Sequence, residues 1–198
     1  MNRSGRLQVT GVEVFADPFP YFTASEGFGE GLSLAILDWL ETEAPWELVE
    51  TDFYEQHEFS LSDVSPPPHL AFLRERPFLN DLRSTVERIF GARLGNAIDC
   101  TVHKLVTGQR IRIHNDFIPG EATHRVLVQL NRGWRDDQGG FLMFFNSGDP
   151  ADVHRVFSPT HDSVVGFAIS EDSHHAVSTI HGGERFTLVF SFYGRNDG

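Results

Sequence analysis

A His-x-Asp pattern at His114 and Asp116 is the feature of this sequence best suited to holding a metal ion. On an extended backbone, successive side chains point to opposite faces, so the spacing predicts that both side chains point the same way. A third ligand is available at the start of a later predicted strand, where His175 fits and the adjacent His174 is the alternative. Two imidazoles and one carboxylate on one side of a metal leave coordination positions open for reactants.

Arg185 and Thr187 form a second chemical feature, beginning ten residues after His175. Being two residues apart on one predicted strand, they share a face. A guanidinium binds a carboxylate through two parallel hydrogen bonds, and a hydroxyl on the same face can add a third. The rest of the strand is largely apolar, so a buried arginine there requires an anionic partner. A bound dicarboxylic acid would supply that partner.

The motifs in this part of the chain resemble the catalytic core of the prolyl-hydroxylase-like Fe(II)/2-oxoglutarate oxygenases. The resemblance covers roughly residues 99–193, and its motifs follow one another in the family order: His114-Asn115-Asp116, Leu130-Asn131-x-x-Trp134, Gly139-Gly140-Phe141-Leu142, Ser173-x-His175-Ala176-Val177 and Arg185. It implies an enzyme that uses Fe(II) as cofactor, with 2-oxoglutarate and O2 as co-substrates.

The resemblance also implies roles for single residues. Arg185 would bind the 5-carboxylate of 2-oxoglutarate, and Leu142 takes the place of an apolar residue that packs on the co-substrate chain. Gln129 stands where the animal oxygen-sensing prolyl hydroxylases have a tyrosine, and its amide can still donate a hydrogen bond. The predicted site therefore has three iron ligands, His114, Asp116 and His175, and four co-substrate residues, Arg185, Thr187, Gln129 and Leu142.

The elements that must position these residues are mainly β-strands. Helical spacing predicts helices over 32–40 and 79–90, with strands over 9–15 and within 46–61. Eight short strands separated by turns favour a sandwich or jelly roll, at 99–105, 109–113, 125–130, 140–145, 154–157, 163–169, 175–180 and 185–193. The predicted fold class is mainly β with N-terminal helices, and the resemblance implies a distorted double-stranded β-helix of the jelly-roll or cupin type. We expect a single domain over 1–198, with 1–97 as support and 98–198 as the catalytic core.

Composition excludes several classes of function. The formal charge of −12 lacks the basic footprint of a nucleic-acid-binding surface. Cys100 is the only cysteine, which excludes an intramolecular disulfide and a multi-cysteine metal site. No run approaches the ~20 apolar residues of a membrane span, and the N-terminus does not read as a signal peptide. We therefore expect a cytoplasmic protein with no nucleic-acid or membrane partner.

The leading interpretation is an oxygenase that hydroxylates an unactivated C–H bond. Segments able to border the iron are 53–68, 117–123 and 146–153, too little for a large lid, so an open rim favours an amino-acid side chain in a peptide, protein or carrier-linked substrate. Acidic residues near the rim could receive a basic segment, and Arg125 could bind a substrate carboxylate; the acidic set is Glu50, Asp52, Glu55 and Glu58.

Three alternatives remain open. The first is the same chemistry on a free small molecule. The second is a zinc hydrolase built on the same three ligands, which leaves Arg185 and Thr187 unexplained. The third is a non-catalytic, cupin-like binding module, since a fold does not fix a function.

Overall fold

The computed structural model describes residue 7 and residues 9–195 of the chain. Two α-helices, α1 (Glu30–Thr42) and α2 (Arg76–Phe90), lie in the first half. Two 3-10 helices span Pro68–Arg74 and Asp136–Gln138. The strands are β1 (Glu13–Phe15), β2 (Tyr21–Ala24), β3 (Glu47–Glu50), β4 (Glu55–Ser60), β5 (Leu94–Val106), β6 (Ile111–His114), β7 (Ala122–Gln129), β8 (Leu142–Phe145), β9 (Val153–Phe157), β10 (Val164–Ala168), β11 (His175–Val177) and β12 (Glu184–Gly194).

The strands form two antiparallel sheets. The larger sheet has eight strands in the order β1-β2-β10-β7-β12-β5-β4-β3, and the smaller has four in the order β6-β11-β8-β9. The last strand, β12, therefore lies between β7 and β5 in the middle of the larger sheet. Its residues 185 and 187 therefore lie far from both edge strands of that sheet.

Alternation along the central strands gives the larger sheet two different faces. On β12, Phe186, Leu188 and Phe190 pack in an outer core against the helices, whereas Val189 belongs to an inner core between the two sheets. The helices contribute to the outer core through residues at helical spacing, such as Phe78 and Leu82 of α2. The inner core is lined by both sheets and is the layer that holds the functional side chains.

The predicted fold class is confirmed, and each of the eight predicted strands after residue 98 has a counterpart among β5 to β12. The sequence predicted one or two strands within 46–61, and two are present, β3 and β4. Strand β2 was not predicted, because Pro18 and Pro20 indicate a break just before it. The expected boundary between support and core at residue 97 falls inside β5. Four earlier strands, β1 to β4, belong to the same large sheet as β5.

Two smaller features bear on the exclusions drawn from composition. Neither described helix is long and apolar enough to cross a membrane. The Cys100 side chain lies in the outer core, where burial raises the pKa of its thiol well above the usual range. A thiol held protonated in this way is a small apolar side chain and a poor nucleophile.

Candidate metal centre and co-substrate pocket

The imidazoles of His114 and His175 meet through strand pairing. His114 ends β6, His175 begins β11, and the two residues are direct cross-strand partners. Directly opposite residues on paired strands point to the same face, so the rings lie side by side with 4.2 Å between their centroids. His175 is 6% exposed and faces the inner core.

Asp116 completes the cluster, but by a different route from the predicted one. The backbone from His114 to Asp116 is not extended as the sequence argument assumed, because β6 ends at His114 and Asp116 has a positive φ of 59°. This left-handed turn swings the carboxylate back toward the rings. Its Oδ1 lies 3.3 Å from Nε2 of His114, and its Oδ2 lies 3.2 Å from Nε2 of His175. The possible ligand atoms of these three residues all lie within 4.8 Å of one another.

The hydrogen bonds on the far side of each ring identify the atoms that would bind a metal. Nδ1 of His114 lies 2.8 Å from the carbonyl oxygen of Arg112, and Nδ1 of His175 lies 2.8 Å from that of Ser173. A carbonyl only accepts, so each Nδ1 carries a proton, and a ring in its neutral form then has its lone pair on Nε2. Two nitrogen lone pairs and a carboxylate then face one point. A divalent cation fits that donor set, and backbone carbonyls commonly orient metal-binding histidines in this way.

The electrostatics of the cluster favour the protonation states that bind a metal. Burial alone would raise the pKa of Asp116, but the contacts with His114 and His175 and the charge of Arg125 hold that pKa well below its usual range. Burial lowers the pKa of His175, with Asp116 opposing this effect. The carboxylate is therefore ionised and the buried imidazole neutral, as metal coordination requires.

Ser173 joins the two segments that carry the cluster. Its buried hydroxyl donates a hydrogen bond to the carbonyl oxygen of Asn115 at 2.8 Å, and Asn115 donates from its amide to the carbonyl of Glu171 at 2.9 Å. These bonds tie the turn that carries Asp116 to the turn before His175. His174, the alternative ligand, lies outside the cluster and lines the groove beyond it with Gly148.

Arg185 lies deep in the same inner layer. It is 2% exposed, and its Nη1 donates to the hydroxyl of Thr187 at 2.9 Å. Nε and Nη2 have no hydrogen-bond partner in the described part of the chain. Burial lowers the pKa of Arg185 to about 10, so the group is still cationic near neutrality. A buried guanidinium with two unsatisfied nitrogens is suited to an anion that the protein itself does not supply.

Thr187 and Gln129 continue a hydrogen-bonded chain that begins at Arg185. The Thr187 hydroxyl donates to Oε1 of Gln129 at 3.0 Å while accepting from Arg185, so its one proton is already used. Gln129 is 2% exposed and is not among the residues that line the cavity. In this arrangement the pair orients the guanidinium. Leu142, also 2% exposed, does line the cavity.

Gly140 gives the Arg185 side chain its space. Gly140 has a φ of 71°, and a Cβ atom added there would lie 3.0 Å from Cδ of Arg185 and 2.6 Å from Cδ1 of Ile180. Trp134 closes the same corner, donating from its indole nitrogen to the carbonyl of Gly139 at 2.9 Å. Trp134 and the Gly139-Gly140 pair therefore act as packing and turn residues.

One cavity of about 270 Å³ extends from the three candidate metal ligands to Arg185. Its lining includes His114, Asp116, His175, Arg185, Thr187 and Leu142. An open groove of about 520 Å³ adjoins it and shares His114, Asp116, Phe53 and Arg125 with it. Phe53, Ile118 and Gly148 place all three predicted rim segments on this groove. The inner cavity and the outer groove therefore meet at His114 and Asp116.

Comparison with known proteins relates the chain to a family of oxygenases. The sequence model of the 2OG-Fe(II) oxygenase superfamily matches residues 100–192, a span that contains the metal cluster and Arg185. The matched model, the relative and the similar structures support a prolyl-hydroxylase-like 2OG-Fe(II) oxygenase. Proteins of this superfamily use Fe(II), 2-oxoglutarate and O2, and the match together with the His-Asp-His site bears out the predicted resemblance, its cofactor and its co-substrates.

Relatives of this oxygenase include prolyl hydroxylases. It is 24% identical over 183 residues to prolyl 3-hydroxylase sudestada1 of Drosophila melanogaster, a match that covers 86% of this chain and 33% of the relative. The chain thus spans about a third of that relative's length. A Pseudomonas putida prolyl-4-hydroxylase has a similar structure, with a TM-score of 0.71, 17% identity, and coverage of 89% of this chain and 93% of that one. A Trichoplax adhaerens prolyl hydroxylase in complex with a hypoxia inducible factor peptide fragment gives a TM-score of 0.67 at 16% identity, covering 87% and 83%.

Two side chains in the cavity, Gln56 and Arg125, were missed or misjudged from the sequence, and Glu58 was predicted only as one of four rim acids. Arg125 contacts Asp116, whereas the sequence suggested a substrate carboxylate as its partner. Gln56 and Glu58 of β4 line the cavity, although β4 lies near the edge of the sheet. The alternation within 46–61 was a usable signal, but only the register of β4 on β5 decides which of its faces meets the metal.

Proposed function

We propose that this protein is an Fe(II)- and 2-oxoglutarate-dependent dioxygenase that hydroxylates an unactivated C–H bond of an amino-acid side chain within a peptide, a protein or a carrier-linked substrate. The observation that carries the proposal is the buried Arg185 with two unpartnered nitrogens in the same cavity as His114, Asp116 and His175. A metal site and an anion site in one enclosed space match the needs of a metal-bound dicarboxylate.

In this proposal His114, Asp116 and His175 hold the iron, and Arg185 binds the distal carboxylate of 2-oxoglutarate. With these reactants bound, one oxygen atom of O2 enters the substrate C–H bond as a hydroxyl, the other enters succinate, and CO2 leaves. The chain contributes position and exclusion of water. Thr187 holds the guanidinium in place, and Leu142 and Val177 give the cavity apolar walls.

The size of the cavity supports a tethered substrate. Pockets that enclose a whole ligand measure about 300–1,000 Å³, whereas the inner cavity of about 270 Å³ must also hold the co-substrate. A cavity of this size favours entry of one side chain over a whole free molecule, and the open groove beside it is available for the rest of a peptide. Relatives named as prolyl hydroxylases, one of them in complex with a peptide fragment, support the same choice.

The rival functions account for less of the site. A zinc hydrolase would use the three metal ligands but has no need for a buried cation with two free donors. A binding module would need neither the open coordination positions nor the meeting of groove and cavity at the metal. A free amino acid would need its carboxylate bound, yet Arg185 serves 2-oxoglutarate here and Arg125 already contacts Asp116.

Anaerobic addition of Fe(II) and 2-oxoglutarate tests the metal and co-substrate sites together. We expect a weak visible metal-to-ligand charge-transfer band that disappears on admission of O2. A second measurement follows succinate and a mass gain of one oxygen with peptide, carrier-linked and free amino-acid libraries. A protein that gives no band, or that binds zinc and hydrolyses a substrate, contradicts the proposal.

A further inference from the structure

Two acceptor side chains on β4 form part of the cavity wall. Gln56 and Glu58 are two residues apart on one strand and therefore share its inner face. Strand pairing sets Glu58 opposite His103 on β5, and His103 opposite Thr187 on β12. One row across the sheet thus runs from Glu58 to the hydroxyl that holds Arg185, and both ends of the row line the same cavity.

Gln56 has a buried acceptor without a donor. The residue is 1% exposed, and its Nε2 donates to Oε2 of Glu58 at 2.6 Å. That contact fixes the amide orientation, because the opposite orientation would set two acceptors against each other. Its Oε1 consequently faces away from Glu58 and has no hydrogen-bond partner in the described part of the chain. Leaving a buried acceptor unsatisfied is costly, which indicates a donor from outside the protein.

The Glu58 carboxylate has no cationic partner within the described residues. Among the residues that the structure describes, its only ion-pair contact is with His103, whose Nε2 lies 3.9 Å from Oε2. Burial, followed by the charges of Arg125 and Arg185, lowers the pKa of His103 to about 3, so that imidazole is neutral at working pH. Glu50, Asp52 and Glu55 differ from Glu58, because they line a separate surface groove together with Arg110 and Arg112. Of the four predicted rim acids, Glu58 alone reaches the metal cavity.

We propose that the substrate side chain is cationic, a lysine or an arginine, and that its N–H groups bind Glu58 and Gln56 on the β4 wall while its methylene stem passes the metal. An ammonium or guanidinium brings several donors in one group, enough for the carboxylate and the unsatisfied amide oxygen together. Phe53 and Tyr54 line the same cavity and give the stem apolar surface. This inference rests on the proposed dioxygenase function and specifies its substrate class.

Matched peptide libraries test the inference. Short peptides with randomised flanks would carry lysine, arginine, norleucine, citrulline or proline at the centre, and free lysine and arginine would be assayed beside them. Norleucine and citrulline keep the length of the stem and remove the charge. We expect the charged members to be hydroxylated about tenfold to a hundredfold faster than the neutral ones, since a hydrogen bond to a charged group is worth that factor.

Variants then locate the charge recognition. Glu58→Gln keeps the shape and removes the charge, so the preference for charged over neutral peptides should fall to about one, and Glu58→Asp should recover part of it. Glu47→Gln is the matched control, because Glu47 is the cross-strand partner of Glu58 on β3, is exposed, and does not line the cavity. It should retain the wild-type preference. Thermal melting of each variant separates lost recognition from lost folding.

The outcomes separate this inference from the proposed function. Hydroxylation of neutral or prolyl peptides at least as fast as charged ones overturns the cationic side chain and leaves the dioxygenase standing. A preference that survives Glu58→Gln overturns the β4 wall as the binding site. Turnover of free lysine or arginine but of no peptide supports the cationic group and overturns the tethered substrate. If no cationic peptide or free amino acid perturbs the charge-transfer band of the wild-type Fe(II) complex, the inference fails, whereas absence of the band itself is failure of the proposed function.

Discussion

The guanidinium of Arg125 lies against the carboxylate of Asp116, with 2.9 Å between Nε and Oδ2. The contact is an ion pair whose angle does not meet hydrogen-bond geometry. Arg125 comes from β7 in the larger sheet, whereas Asp116 is on a turn with a left-handed backbone. Arg125, which is fixed on β7, thus helps to orient Asp116, which does not belong to a strand.

Removing this partner should weaken the metal site. Substitution of a group that orients a metal ligand commonly costs about 10- to 100-fold in metal affinity, so Arg125→Gln should reduce anaerobic Fe(II) affinity by about that factor. Titration with Fe(II) in the presence of 2-oxoglutarate, followed by the charge-transfer band, measures it. Arg110→Gln, an exposed arginine on the surface groove, should bind iron as the wild type does. Unchanged affinity in Arg125→Gln would show that the turn alone holds Asp116.

The metal ligands themselves should be indispensable for turnover but not for folding. Asp116→Ala and His175→Ala should abolish 2-oxoglutarate-dependent succinate formation, because each removes a proposed iron ligand. Both variants should still fold, because neither side chain belongs to the two hydrophobic cores. His174→Ala should be much milder, since that ring lies in the outer groove. Succinate assays and thermal melts of the three variants decide the matter. An inactive His174→Ala beside an active His175→Ala would reverse the ligand assignment.

Arg185 should control the affinity for 2-oxoglutarate. Removing one partner of a buried ion pair costs about 3–5 kcal/mol, so Arg185→Ala should raise the 2-oxoglutarate KM by about a hundredfold or more. Arg185→Lys should recover only part of the loss, because an ammonium cannot make the forked contact. Iron affinity measured without 2-oxoglutarate serves as the internal control and should change little. Equal co-substrate affinity in Arg185→Ala and wild type would falsify the anchor role.

Gly140→Ala should disturb the same anchor indirectly. The new methyl group would push against Cδ of Arg185, and the positive φ adds roughly 1–2 kcal/mol of backbone strain. We expect a lower melting temperature together with a higher 2-oxoglutarate KM. Gly133→Ala is the matched control, because Gly133 also has a positive φ, of 65°, and a Cβ atom there meets no atom within 4 Å. A variant that loses stability while keeping its KM would mean that the arginine adapts without cost.

His103 should make the protein sensitive to acid. Its pKa is about 3 when folded and about 6.5 when unfolded, so below pH 6.5 the unfolded state binds a proton that the folded state does not. Stability should therefore fall by about 1.4 kcal/mol per pH unit from this group as the pH drops from 6.5 toward 3. Urea unfolding at pH 7, 6 and 5 should show a smaller loss in His103→Gln. The exposed His69 provides a control, and His69→Gln should follow the wild type.

Much of the fold is readable from local pattern. Alternating apolar residues predict each strand from β5 to β12, and helical spacing with Gly91 predicts α2 and its end, where Gly91 has a φ of 65°. Strand β2 escaped prediction because the prolines just before it indicate a break, although it pairs both with β1 and with β10, some 140 residues later. Local signals predict elements well when pairing does not overrule them.

The candidate site divides in the same way. The sequence brings His114, Asp116, His175 and Arg185 to attention, because their residue types and order are visible without a structure. The geometry of Asp116 could not be predicted, since a left-handed aspartate leaves no pattern of its own. The β4 wall depends on the register Glu58 with His103, and the Arg125 contact depends on a turn that crosses between the two sheets. Both are products of long-range packing.

The alternation of inner and outer cores along β5 and β12 makes this fold easy to diversify. Thr101 and His103 face the reaction chamber, while their chain neighbours Cys100 and Val102 hold the helices. A mutation at Thr101 or His103 can therefore change which substrate the enzyme binds with little effect on the outer core. New specificities in such a scaffold can accumulate as independent small steps, and shuffling only the inward positions offers a direct way to design them.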